Sequence, residues 1–169
     1  MGSQKQLQGL FPGEEVSYHI INSFRGEHNF LSNFANIPRG FIWVRVGTGS
    51  VSVISSEHAF MACKTLDERE RTEICSARNG AEAKRLGRMV ELRPDWEDIK
   101  DDVMLAALRQ KFKYLPFRKS LIATKDDLLI EGNFWHDNTW GNCGCLKCKD
   151  IKGLNTLGEL LMQVRGELK

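Results

Sequence analysis

No stretch of this sequence stays apolar for anything near the roughly 20 residues that a bilayer-spanning helix needs, so no membrane-spanning helix is expected. The first fifteen residues lack the apolar core of a secretory signal, and Gln6 stands where a myristoylation signal carries Ser or Thr. An excess of one charge is also missing. The 24 Lys and Arg face 22 Asp and Glu, a net +2, whereas a dedicated nucleic-acid binder carries a clear basic surplus. There is no Walker loop, no Rossmann glycine fingerprint and no nucleophile elbow, and Gly80 and Gly87 fall within a helical pattern rather than a phosphate loop. No internal repeat, low-complexity tract or linker divides the chain.

What remains is an ordinary globular composition. The 169 residues are 41% hydrophobic and 27% charged, enough for one domain that buries a core without disulfide staples. The five cysteines are an odd number with no secretion signal, which points to reduced thiols and a cytoplasmic setting. Residues 1–16 are polar, with Gly9, Pro12 and Gly13, and are expected to be a flexible lead-in. Residues 17–169 are expected to form the folded domain.

Strand character runs from Ser17 to Phe24. Two β-branched runs, Phe41–Val46 and Ser50–Ile54, flank Gly47-Thr48-Gly49 and suggest a hairpin. Ser55-Ser56 should cap a helix from Glu57 to about Leu66. Asn79 with Glu82 resembles a capping box for a helix reaching about Val90. Pro94-Asp95 opens the longest helix, to Phe112, with acids early and bases late to suit the helix dipole. Pro116 opens another to Thr124, Leu128–Glu131 is a short strand, and Thr156 with Glu159 caps a final helix whose Leu157, Leu160, Leu161, Val164 and Leu168 form one stripe. Strands first and helices after argue for an α+β fold, mostly helical around a small sheet.

Several segments could carry chemistry. Glu57, Met61 and Lys64 share one helix face. The strand-to-helix junction puts Glu57 in the first turn, where the dipole should hold it ionised, as a base or charge stabiliser or simply as a capping acid. Trp96, with Arg93 and Asp95 beside it, is either a stacking wall for a flat ring or a core residue aligned with Ile99 and Val103. Trp135 and Trp140 flank Asp137 in a loop after a strand ending at Glu131. His136, Cys143, Cys145 and Cys148 are four zinc-type ligands within thirteen positions. The pattern lacks a second well-separated half, which leaves free thiols in a Gly-rich loop as the plainer reading. In FRGEHNFLSNF, Arg25, Ser32 and Asn33 lie between aromatics, as a pocket wall does. His19, His28 and His58 have no evident partners.

Taken together, FRGEHNFLSNF, SSEHAFMACK, NGAEAKRLGRMVELRPDWEDIKDDVMLAALRQKF, LIATKDDLLIEGNFWHDNTWG and GLNTLGELLMQVR resemble the YbiA-like, or NADAR, superfamily. The blocks occur in the family's order over nearly all of Ser23–Leu168. The resemblance implies a single α+β domain and an N-glycosidase that cleaves a ribose C1′–N bond. Two substrate classes come with it: ADP-ribose on guanine, free or in nucleic acid, and phosphoribosylamino-pyrimidine intermediates of riboflavin synthesis. It implies catalytic roles for Glu57, Asp137 and Trp96. Lys64, Trp140, Gly141 and Asn155 match pocket positions, and Arg25, Ser32, Asn33 and Phe34 belong to the first block. Met61 stands where the family commonly has glutamine, Ile54-Ser55-Ser56 replaces the usual lead to the Glu, and Cys143–Cys148 replaces a variable loop.

The implied chemistry is an oxocarbenium-like centre stabilised by a fixed carboxylate. Glu57 is the candidate for that role, alone or together with deprotonating the attacking water, and Asp137 for protonating the leaving base or orienting the ribose hydroxyls. As the acid, Asp137 needs desolvation by Trp135 and Trp140. Trp96 stacks on a base, and Lys64 and Arg25 hold phosphates. The scheme needs no cofactor, no metal and no membrane. A catalytically silent ADP-ribose-binding module is the reading from another class, and the presence of both Glu57 and Asp137 speaks against it.

Overall fold

A computed structural model describes residues 19–38 and 42–169 in full and the backbone of residues 5–8 and 15–18. Most of the lead-in over residues 1–16, and Phe41 at the start of the expected hairpin, lie outside the described residues. The backbone of β1 (Lys5–Gln8) pairs antiparallel with β2 (Glu15–Tyr18). The strand expected over Ser17–Phe24 is broken. β2 ends at Tyr18, and β3 (Ile20–Ile21) pairs in parallel with β6 (Leu128–Leu129). A 3-10 turn, Gly26–Leu31, follows.

β4 (Ile42–Val46) and β5 (Gly49–Val53) form the hairpin, with Val46 opposite Gly49 and Gly47 at φ 56° in the left-handed region that glycine enters without a Cβ clash. Ile42, Val44 and Val53 point into the core, while Trp43 points outward. The Gln110 side chain pairs with both backbone groups of Trp43 and ties the hairpin to the long helix.

Helix α1 (Ser56–Ala62) ends four residues short of Leu66. It packs against α2 (Glu68–Cys75), α3 (Gly80–Leu86), α4 (Trp96–Lys111) and the hairpin, so every one of its residues is buried. The chain turns at Thr65–Asp67 into α2, which no sequence pattern announced. ERERTEIC has no apolar stripe, and only Ile74 and Cys75 reach the core. The Asp67 carboxylate caps α2 by accepting from the Arg69 and Glu70 N–H groups.

Asn79 caps α3 as expected, accepting from Glu82 N–H at 3.0 Å. The reciprocal half of the box goes elsewhere, because Glu82 accepts from Arg78 N–H. α3 also stops at Gly87 rather than near Val90. α5 (Leu115–Ala123) carries Pro116 in its first turn. The short strands β7 (Gly132–Asn133) and β8 (Asn142–Cys143) pair in parallel. α6 (Thr156–Glu167) lays its apolar stripe against α4 and β6. Thr156 is already helical there. The cap position belongs to Asn155, at φ 55°, so the expected Thr156–Glu159 box does not form. The result is the expected α+β domain, its helices gathered around paired short strands rather than one continuous sheet.

Candidate active site

The site begins with the α1 turn. Ser55 Oγ accepts from His58 N–H, and His58 Nε2 donates to Ala77 O at 3.1 Å. That leaves His58 Nδ1 to accept from the Ser55 hydroxyl at 2.7 Å. His58 is therefore a neutral structural histidine with two partners, and burial lowers its pKa. The backbone N–H of Glu57 donates to Asn33 O at 3.0 Å, and Ser56 Oγ bonds Asn33 Oδ1 at 3.0 Å. Ser32 O in turn accepts from the ammonium of Lys111 at 2.7 Å. The Ser32–Phe34 segment is thereby fastened on one side to the first turn of α1 and on the other to α4.

Glu57, Asn33 and Phe34 line a cavity of about 480 Å³, within the roughly 300–1,000 Å³ usual for small-molecule sites. Glu57 is only 4% exposed, and its Oε1 has no hydrogen-bond partner among the described residues. Burial pushes its carboxyl up to about 7 from 4.5, against the opposing pull of Lys84, Lys64 and Arg88 and with a contribution from Asp137. The expectation of an outward-facing carboxylate held ionised by a helix end is thus overturned: desolvation outweighs every favourable charge around it.

The facing wall comes from the segment between β6 and β8. Glu131 also lines the cavity, and its Oε2 is buried without a partner among the described residues. Desolvation first, and Asp137 second, raise its carboxyl to about 7. Asp137 lines the cavity too, but its Oδ1 accepts from the Thr139 and Trp140 N–H groups. Trp135 is 53% exposed, so it does not enclose Asp137 as expected.

Lys64, Lys84 and Arg88 supply positive charge at the same cavity, and none of them forms an ion pair among the described residues. Lys84 lies over the Phe34 ring at 5.5 Å and Lys64 over the Trp96 ring at 5.9 Å. Of its two alternatives, Trp96 takes the position of a core residue, only 4% exposed. It packs on Phe60 with ring centroids 5.0 Å apart, and its remaining edge lines the cavity. Trp140, on the other side of Phe60 at 5.1 Å, completes that wall, and Ser32 and Met61 also face the space.

Three expected pocket residues lie elsewhere. Arg25 lines a neighbouring cleft, with its guanidinium 5.8 Å from the Trp135 ring centre. Gly141 is required by a close approach, since a Cβ there would meet Glu131 O at 2.2 Å. Asn155 acts through Glu131: its Oδ1 accepts from Glu131 N–H at 2.9 Å and its Nδ2 donates to Leu129 O at 2.8 Å. Four functional groups went unrecognised in the sequence. Lys84 and Arg88 had a signal, their i,i+4 spacing. Glu131 was noted only as a strand end. Lys111, fully buried with its ammonium lowered to about 7, sat in a run of late helical bases that resembled solvated charge.

Two carboxyl groups with raised pKa values, Glu57 buried and Glu131 half-buried, thus line one cavity with Lys64, Lys84 and Arg88, an arrangement able to hold and release protons. The NADAR domain family matches residues 22–169, and this chain belongs to that family. It is similar to the N-glycosidase YbiA of Escherichia coli (strain K12), with 41% identity over 154 residues and 88% of each chain covered. It is also similar to the riboflavin biosynthesis protein VVA0006 of Vibrio vulnificus, at 36% over 148 residues, covering 84% of this chain and 36% of that one. The NMR structure of E. coli YbiA superposes with a TM-score of 0.70 at 37% identity, covering 88% of this chain and 84% of that one. The protein is an enzyme of the N-glycosidase class.

Proposed function

We propose that this N-glycosidase hydrolyses the C1′–N bond of ADP-ribosylated guanine, as a nucleoside or within nucleic acid, and releases ADP-ribose. The observation that carries the reading is Glu57, a buried carboxyl group with an unpartnered oxygen on a cavity that also holds Lys64, Lys84 and Arg88. An unpartnered buried oxygen is costly, and a ribose hydroxyl or the attacking water relieves that cost when substrate binds. C1′–N cleavage places positive charge on the ribose. Ionised Glu57 stabilises that charge and takes a proton from the water whose oxygen bonds to C1′. The C1′–N electron pair passes to the base nitrogen, which takes its proton from protonated Glu131. Both carboxyl groups sit near 7, so each is available in either protonation state at physiological pH. Asp137, its orientation fixed by two backbone N–H groups, holds the ribose hydroxyls. Lys64, Lys84 and Arg88 take the pyrophosphate, and exposed Trp135 offers the stacking surface that buried Trp96 cannot. The five free cysteines support a reducing, cytoplasmic setting.

The second reading, a phosphoribosylamino-pyrimidine substrate, is favoured by the likeness to a riboflavin biosynthesis protein. It would use the same acids with a single phosphate, and three uncommitted cations suit a pyrophosphate better. Offering both substrates to the enzyme and weighing the products tests the choice. Release of ADP-ribose at the higher kcat/KM supports the proposal. Preferential release of ribose phosphate moves the enzyme to the second reading, and tight ADP-ribose binding without turnover of either substrate leaves a binding module.

A further inference from the structure

Beside the carboxylate centre, two loops converge. His136 follows β7, and Cys143, Cys145 and Cys148 lie at and after β8. Their ligand atoms, one imidazole nitrogen and three Sγ, all lie within 4.8 Å of one another. His136 Nδ1 is 3.3 Å from the Sγ of both Cys145 and Cys148, and the His136 N–H is 3.3 Å from Cys143 Sγ. All three cysteines are free, and Cys143 and Cys148 are buried. The backbone is shaped to this convergence. Asn133 pairs with Cys143 across the parallel strands, Asn138 Oδ1 accepts from Cys143 N–H at 2.9 Å, and His136 sits at φ 66°. Thiols are weak donors and acceptors and gain little from contacting one another. Three of them gathered on one imidazole is an arrangement that hydrogen bonding alone does not explain.

We propose that His136, Cys143, Cys145 and Cys148 form a structural zinc site of the Cys3His type. Three soft thiolates and one imidazole match the preference of Zn²⁺, and four protein ligands leave no open position for catalysis. Binding releases the thiol protons and leaves a tetrahedral centre with a net charge of −1. The metal's task is mechanical. His136 precedes Asp137, both line the active-site cavity, and Trp135 lies on the same loop. Linking His136 to the Cys143–Cys148 loop fixes the wall that carries Asp137, without entering the reaction. The site does not depend on which N-riboside is hydrolysed.

The test is metal content of the full chain, purified without a polyhistidine tag, by elemental mass spectrometry and native mass. One equivalent of zinc is expected, and exchange for Co²⁺ should give thiolate-to-metal charge-transfer absorption. Cys145→Ser and Cys148→Ser should each lose stoichiometric zinc, and a chelator should lower the Tm of the wild type but not of these variants. Should a variant fail to fold, the Co²⁺ titration of the wild type still decides. Absence of stoichiometric zinc from protein refolded in its presence, together with no Co²⁺–thiolate absorption, would overturn the proposal. So would an intact mass lower by the two hydrogens of a disulfide.

Discussion

Glu57 has a folded-state pKa of about 7 against 4.5 for the free side chain. Between those values the folded chain binds more protons than the unfolded one, so this residue makes stability fall as pH rises from about 4.5 to 7. Glu57→Gln removes that dependence. The variant should be more stable than the wild type at pH 8 by about 3 kcal/mol, with the difference vanishing below pH 4.5, as urea unfolding at the two pH values will show. The same variant should lose about 10²–10⁴-fold in kcat. Asp137→Asn keeps an acceptor for the Thr139 and Trp140 N–H groups, so the loop survives while the charge is lost. A fall in kcat at unchanged Tm is expected, and full activity would remove Asp137 from the reaction. Glu57 and Asp137 were legible because their blocks match a known family. Glu131 and Lys111 were not, because a single carboxylate or ammonium in sequence carries no sign of its burial. That burial is a property of the packed neighbours, here a cavity wall for one and the fully enclosed base of α4 for the other.

The elements deliver these side chains through a few backbone ties. Asn155 joins the start of α6 to the segment after β6, holding Glu131 N–H and Leu129 O while itself adopting a left-handed φ. Asn155→Gly preserves the permitted φ and removes both hydrogen bonds. It should cost about 2–3 kcal/mol in equilibrium unfolding and lower kcat through a displaced Glu131. Lys111 ties α4 to the Ser32–Phe34 wall. Lys111→Met should leave Tm unchanged or higher, since an apolar side chain replaces a buried cation, yet reduce kcat/KM about ten- to a hundredfold. The longer elements were readable from capping and apolar spacing: α4, α5, α6 and the β4–β5 hairpin. α2 was not, because its surface is nearly all polar and its start depends on the Asp67 cap. The two-residue parallel strands were unreadable for a different reason. Their pairing is set by distant partners, Ile20 with Leu128 and Asn133 with Cys143.

Over the whole molecule, a net charge of +2 gives no broad electrostatic grip, and positive charge matters where Lys64, Lys84 and Arg88 concentrate it. Because those cations are assigned to the pyrophosphate and not to backbone phosphates, log KM for a single-stranded nucleic-acid substrate should change with log salt at a slope of about 1 or less. A far steeper slope would require a contact surface that the charge distribution does not provide. The family, the fold class and the activity class were within reach of the sequence, because five motif blocks in order constrain all three. The division of labour among the acids required the burial of each. The proposed reaction is hydrolysis of an ADP-ribosyl–guanine bond in the cavity that Glu57 lines. The most direct measurement offers ADP-ribosylated guanosine to wild type and to Glu57→Gln at pH 7, with products identified by mass. Free guanosine and ADP-ribose are expected from the wild type and at most a trace from the folded variant. Equal turnover by the two proteins, or an intact substrate with both, would contradict the proposal.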